Sequence, residues 1–434
     1  MNQENSGNMN PIVAGPPATL EETGVPLTLI VELACKTLYY GGVLSLSAVS
    51  AQLALPVSVS KDAMDFLKKE RLAEVKQGSD VLASTTYALT DLGRERAREY
   101  LRFSGYVGAV PVPLDRYTEA ARRQSVRKMA VDRESVQRAF EEVVLPPGLL
   151  ERLGPAINSG RSIFLYGPTG NGKTFIAERL AKVLTGTVFI PHAIAVDNQV
   201  VRVFDPVNHV RIEHAPQPDP TRAFPEEPNG IDRRWVACER PVIVAGGELT
   251  LAMLDLSVDP SSNSYEAPLQ LKANGGVFLI DDLGRQLVQP FALLNRWIVP
   301  LERSLDYLTL RNGKKFAIPF DQIVLFSTNI EPRQLADEAF LRRIGYKIKV
   351  DYAREEEYIR IFRQVCDRLG FDCPPEAVRY LLDEELGMRR IRLSACQPGD
   401  LMSRIAEICR YEGIPARVEI DLLRRACRDY FMEL

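Results

Sequence analysis

The run SIFLYGPTGNGKT, residues 162–174, narrows what this chain can fold into more than any other stretch. Ser162 to Tyr166 reads as a strand, and FIAERLAKVL, following Thr174, reads as an amphipathic helix. Between the two, Gly167, Pro168, Thr169, Gly170, Asn171, Gly172, Lys173 and Thr174 fit G-x-x-x-x-G-K-[ST] in full. Glycines let the backbone turn its N–H groups inward onto phosphate oxygens, and the helix behind adds unpaired N–H groups and a positive dipole end. Lys173 would put a charge at the β/γ-phosphates, and the Thr174 hydroxyl would serve Mg²⁺. The expectation is an ATP site with Mg²⁺, carried on the strand–loop–helix of an α/β domain.

A site of this kind needs an acid for the metal and a group to polarise water. Val277-Phe278-Leu279-Ile280 is a continuous apolar run ending in Asp281-Asp282, as a buried parallel strand would be with its active groups at the C-terminal end. Asp281 would hold the Mg²⁺ through water, and Asp282 would polarise the attacking water. From Ser162 onward strand candidates alternate with helices, the pattern of a parallel-sheet α/β domain, and the stretch from about 352 reads as helical throughout.

Taken together, residues from about 140 to 434 resemble the AAA+ ATPases. The resemblance implies a P-loop α/β domain over 140–350 and a helical lid over 351–434. Asn329, after the strand candidate Gln322–Ser327, matches the family's sensor-1 position, which helps orient the attacking water. Ala339-Phe340-Leu341-Arg342-Arg343-Ile344 looks like the arginine-finger segment, in which Arg342 or Arg343 would reach a nucleotide bound by the neighbouring subunit. That implies a ring of identical subunits, a hexamer by family habit. The hairpin pattern Leu308–Ile318, turning at Asn312-Gly313 just before the sensor-1 strand, resembles the pre-sensor-1 hairpin branch. Two positions depart from the family pattern. Asp282 stands where Glu is usual, one methylene shorter, and Gly399-Asp400 stand where the lid's sensor-2 arginine is usual.

Ahead of the α/β domain, residues 1–24 are polar and Pro/Gly-rich and read as a disordered leader. Residues 25–103 give helix patterns from Pro26, over Leu46–Leu53 and over Ser58–Glu70, then strand candidates Leu72–Lys76 and Val81–Leu89, then a helix from Thr90. Three helices, a hairpin and a closing helix make a winged-helix-like α+β domain. Residues 104–139 read as a Pro/Gly linker followed by two charged amphipathic segments. Within 192–246 an inserted hairpin is expected around Asp205-Pro206, and the proline-rich run 215–230 reads as a loop. His192, His209 and His214 cluster there without a zinc spacing, and Tyr265 is a candidate pore aromatic.

Composition bounds the partners. At 434 residues the chain is too long for one core. A net charge of −3 gives no overall basic field for nucleic acid, and helix 58–70 carries Lys61, Lys68 and Lys69 mixed with Asp62, Asp65 and Glu70. Protein contact is therefore expected of residues 25–103, with DNA contact as the alternative. Seven scattered cysteines read as reduced thiols, and no apolar run approaches the ~20 residues of a membrane span. The functional expectation is a cytoplasmic ATPase ring that remodels or moves a macromolecular client. The alternatives are a DNA-associated factor or a slow ATP-dependent assembly scaffold.

Overall fold

The computed structural model describes residues 13–212 and 230–431. Helices α1 (Leu27–Gly41), α2 (Leu46–Leu53), α3 (Val57–Lys69) and α4 (Asp91–Phe103) surround a small antiparallel sheet. Its strands are β1 (Leu44–Ser45), β2 (Ala73–Gln77) and β3 (Thr86–Leu89), in the order β1–β3–β2. Leu29, Ile30, Leu33, Ala34 and Leu38 recur on one face of α1 and are buried against Val49, Met64 and Leu67. The Thr90 hydroxyl caps α4 by accepting from the Gly93 N–H at 3.0 Å. Two local expectations shift. Pro56, not Ser58, precedes α3, with its fixed φ suited to a helix entrance. The second strand begins only at Thr86, because Val81 and Leu82 are both exposed and give a strand no face to bury.

Residues 13–24 are not a loose leader. Val13 is buried in the cluster that holds Trp235, and the Thr23 carbonyl accepts from Arg234 Nη1 at 2.8 Å. Arg234 is fully buried and paired with Asp232 at 2.7 Å. A buried guanidinium needs acceptors for all its N–H groups, and the carbonyls of Thr23 and Pro111 supply part of that need. Residues 1–12 lie outside the described residues.

A second, mixed sheet sits between this region and the α/β domain. Its order is Ser257–Asp259, Ser264–Glu266, Gln199–Arg202, Ala193–Val196, Val112–Pro113. Ala193, Ala195 and Val200 bury into the same cluster as α1 to α3, so the N-terminal helices share a core with this sheet. The inserted hairpin turns at Asp197-Asn198, with Asp197 at φ 52°, and not at Asp205-Pro206. Asp and Asn tolerate the left-handed conformation that a two-residue hairpin turn demands. Asp205 instead opens a turn, accepting from the Val207 N–H and from Lys272 Nζ. The predicted loop 215–230 falls almost wholly outside the described residues.

The central sheet comprises β4 (Ile163–Tyr166), β5 (Val242–Ala245), β6 (Val277–Ile280), β7 (Ile323–Thr328) and β8 (Tyr346–Lys349). All pairs are parallel, in the order β5–β6–β7–β4–β8. Ile163, Leu165, Val277, Leu279, Ile323 and Leu325 face Ile176 and Leu180 of helix α5 (Lys173–Lys182) and the helix Leu149–Asn158. The alternate residues Phe164, Phe278, Ile280, Val324 and Phe326 face Leu293, Trp297 and Phe340. Both faces of the inner strands β4 and β6 are covered, so those strands are apolar throughout, whereas the edge strand β8 carries Lys347 and Lys349 toward solvent. A hairpin of Leu305–Thr309 and Lys315–Pro319, closed at Asn312-Gly313, leads into β7, and helix α6 (Glu338–Arg343) follows it. Helices α7 (Glu355–Leu369), α8 (Gln397–Glu412) and α9 (Ile420–Tyr430) close the chain around their own core of Tyr358, Phe362, Leu401, Ile405 and Leu423. The fold is α/β, a parallel-sheet P-loop domain with a helical C-terminal unit.

Candidate nucleotide site

Strand β4, between β7 and β8, ends at Tyr166, and the chain turns at once through Gly167 at φ 141°. A Cβ there would stand 2.1 Å from the Val350 carbonyl oxygen, so no other residue fits beneath the end of β8. Pro168 is half-buried and Thr169 exposed at the crown of the loop. Asn171 is buried and donates from Nδ2 to the Pro168 carbonyl at 3.3 Å, bracing the loop across its width. Gly172 takes the left-handed conformation at the N-terminal cap of α5, with nothing within 4 Å of where a Cβ would point. Open space in front of a ten-residue helix N-terminus is what a phosphate requires.

Side chains carried just beyond the ends of three strands converge on that space. Lys173 Nζ donates to the Pro168 carbonyl at 2.8 Å and to Asn329 Oδ1 at 2.5 Å. Asn329, directly beyond β7, donates from Nδ2 to Asp282 Oδ1 at 3.2 Å. The Thr174 hydroxyl lies 2.8 and 2.9 Å from the two carboxylate oxygens of Asp281. Burial pulls the Lys173 ammonium below its ordinary range, and the charges of Asp282 and Asp281 oppose that pull. Lys173, Asn329 and Asp282 thus form one hydrogen-bonded chain, with the Thr174–Asp281 pair beside it. Hydroxyl and carboxylate oxygens are the hard donors that suit Mg²⁺, which takes few protein ligands beside substrate phosphates.

Arg342 and Arg343 lie apart from this cluster, at the end of α6. Arg342 is 77% exposed and reaches Glu338 at 3.6 Å, while Arg343 is more buried and has Glu302 at 3.2 Å among its partners. Position 399 is open: nothing stands within 4 Å of where a Gly399 Cβ would point.

Sequence patterns do not reveal the second wall of the site. A cleft of about 930 Å³ runs between the P-loop and the helical unit, lined in part by Val143, Leu145, Phe175, Ile361 and Cys396. The helical unit is stitched to the loop itself. The Cys396 N–H donates to the Gly170 carbonyl at 2.8 Å, and the Ala395 N–H to Asn171 Oδ1 at 3.2 Å. Gly170, at φ 81°, makes room for this contact, since a Cβ there would meet Cys396 Sγ at 2.6 Å. Gln286 is the other residue that sequence patterns pass over. It is buried beneath the Asp281-Asp282 turn and bonded to both carbonyls. The Leu-Pro-Pro of 145–147 is a faint pointer to the cleft wall, and nothing in a lone glutamine announces the second feature.

Other candidates have structural roles. Tyr265 is a buried strand residue whose hydroxyl accepts from the Arg311 N–H at 3.1 Å, so it is packing and not a pore aromatic. His209 bonds the Lys272 carbonyl, and burial draws the His192 imidazole down to about 4. His214 lies outside the described residues. Among the described residues no group of His, Cys, Asp or Glu is placed to hold a metal without other ligands, and no helix is long and apolar enough to cross a membrane.

Residues 354–429 match a family model described as a domain of unknown function, DUF8689. A stretch of 48 residues is 50% identical to the vesicular-fusion protein sec18 of Schizosaccharomyces pombe, covering 11% of this chain and 6% of that protein. Over 54 residues the chain is 41% identical to a vesicle-fusing ATPase of Dictyostelium discoideum, 12% of this chain and 7% of that one. The chain therefore spans a small fraction of the curated relatives it matches. Among solved structures, NtrX from Brucella abortus in complex with ADP superposes with a TM-score of 0.40 at 15% identity, over 77% of this chain and 66% of that one. A Thermotoga maritima RuvB mutant gives 0.38 at 14%, over 68% and 69%. At those scores neither structure bears on function, and the α/β fold stands on its own strand order and P-loop.

Proposed function

We propose that this chain is an ATPase of the AAA+ kind, which binds Mg²⁺-ATP between the P-loop and the helical C-terminal unit and hydrolyses it. The observation that carries the reading is the connected cluster Lys173–Asn329–Asp282 beside Thr174–Asp281. Lys173 and the N–H groups at the start of α5 bind the phosphates, and Gly167 to Thr174 wrap them. Thr174 and Asp281 would hold Mg²⁺, which supplies charge neutralisation at the β- and γ-phosphate oxygens. Asp282 polarises the attacking water, with Asn329 fixing its carboxylate. Arg342 or Arg343 acts on the nucleotide of the neighbouring subunit, so the working form is a ring, a hexamer by resemblance. The cleft wall at Val143 and Leu145 receives the base.

The client of this cytoplasmic machine is a protein, recruited through residues 25–103 as a winged-helix-like module, with 104–139 as its connection. Two observations favour protein over DNA there. Lys61 and Lys68 of α3 both have Asp65 as an acidic neighbour, so the positive charge of that helix is locally mixed with negative charge. The module also shares its core with the second sheet and so is held in a fixed orientation.

The test is Lys173→Ala in the full chain. Removing the fixed charge at the phosphates should weaken fluorescent-ATP binding by about two orders of magnitude or more. A folded variant with parental affinity would remove the site.

A further inference from the structure

Asp282 holds φ 49°, the left-handed region, which an aspartate enters more readily than most residues but keeps in one fixed orientation only where its neighbours hold it. On one side that restraint comes from β7. The Leu283 N–H donates to the Ser327 carbonyl at 2.8 Å, and the Thr328 hydroxyl donates to the Leu283 carbonyl at 2.6 Å. On the other side the Asp281 N–H donates to the Ala245 carbonyl at 2.8 Å and the Arg285 N–H to the Asp282 carbonyl at 3.0 Å, and one side chain, Gln286, adds to these backbone bonds. Its Oε1 accepts from the Gly284 N–H at 2.8 Å. Its Nε2 donates to the Asp281 carbonyl at 2.9 Å, with the Asp282 carbonyl at 3.2 Å and the Gly246 carbonyl at 3.3 Å. Gly246 is the first residue beyond β5, so this amide fastens the turn carrying both acids to the neighbouring loop. Few side chains could do the same. The position requires a donor and an acceptor on one planar group, at the end of a stem long enough to reach three carbonyls.

We infer that Gln286 is a positioning residue for hydrolysis: it holds the backbone of Asp282 in the conformation that aims its carboxylate at the attacking water. It touches neither carboxylate, so it acts through the main chain. This rests on the ATPase reading above, in which Asp282 is the water-polarising group.

The experiment is steady-state ATP hydrolysis by the full chain with Gln286→Met, which keeps the length and loses both hydrogen-bonding functions. Gln286→Asn, too short to span the carbonyls, serves as the second variant. A misplacement of about 1 Å can cost about 10²-fold in rate, so kcat should fall by that order while KM stays within about twofold. In an Asp282→Asn background Gln286→Met should cause no further loss, because the group it positions is gone. Parental kcat in folded Gln286→Met and Gln286→Asn would overturn the inference. So would a KM that rises as kcat falls, or an equal loss in the Asp282→Asn background. If the parental chain itself hydrolysed no ATP, the ATPase reading would be the one to fail.

Discussion

Two regions of this molecule carry lysines beside carboxylates, and they use them in opposite ways. On α3, Lys61 meets Asp65 four residues away, with both side chains close to half exposed. In the P-loop, Lys173 donates to the Asn329 amide across 156 residues and feels the charges of Asp282 and Asp281, and Thr174 meets Asp281 across 107. A local pair on an exposed helix forms at the cost of a little side-chain entropy and contributes little beyond helix propensity. A long-range polar cluster at the mouth of a sheet requires the whole fold to be in place. It also leaves Lys173 partly desolvated, a cost that a bound anion would offset. The difference teaches which charges to regard as chemistry: those whose partners come from other strands and whose geometry leaves room for a ligand.

The largest effect that would sharpen this contrast belongs to α6. Arg342→Ala should keep ATP affinity and lose about 10³-fold or more in turnover, by analogy with arginine fingers in other P-loop enzymes. Arg343, braced by Glu302, should lose less when replaced. Under the proposed action across a subunit boundary, mixing Arg342→Ala with Lys173→Ala subunits should restore part of the activity. A protein that stays monomeric while hydrolysing ATP would end the shared-site model.

Next come the paired acids. Asp282→Asn should retain ATP binding while hydrolysis falls by about 10²-fold or more, as expected when a general base is lost. Asp281→Asn should instead weaken binding in a Mg²⁺-dependent way, visible as a loss of the difference between titrations with Mg²⁺ and with chelator. Equal phenotypes for the two would dissolve the division of roles between them.

The smallest effect is expected on α3. Lys61→Ala should leave both the thermal midpoint and ATP turnover at parental values, since its partner is an exposed neighbour on the same helix. A clear loss of turnover there would mean that the two regions are not so different after all.

The nucleotide cluster is legible in the amino-acid sequence because each part is written locally. β4 and β6 are unbroken apolar runs with their chemistry immediately downstream, and Asn329 stands just past β7. The second sheet is not legible in the same way. Val112–Pro113 pairs with Ala193–Val196, and no short window contains both. Proline is a strong breaker and draws the expected hairpin turn to Asp205-Pro206, while Asp197-Asn198 carries the better turn chemistry for two-residue loops. Residues 13–24 look dispensable by composition. Their order comes from acceptors that Arg234 needs, a demand lodged more than 200 residues away. The role of Gln286 is likewise a matter of backbone carbonyls, which leave no mark in the side-chain pattern.

The stitches from Ala395 and Cys396 to the P-loop have a thermodynamic consequence. They run from protein to protein, so the second wall of the cleft is set in place without help from a ligand. The ordering entropy of that wall belongs to folding, and a nucleotide entering the cleft does not have to supply it again. Affinity then reflects contacts made more than parts assembled. Any partner that tilted the helical unit would act on nucleotide retention directly, by undoing a preorganisation that the chain already holds.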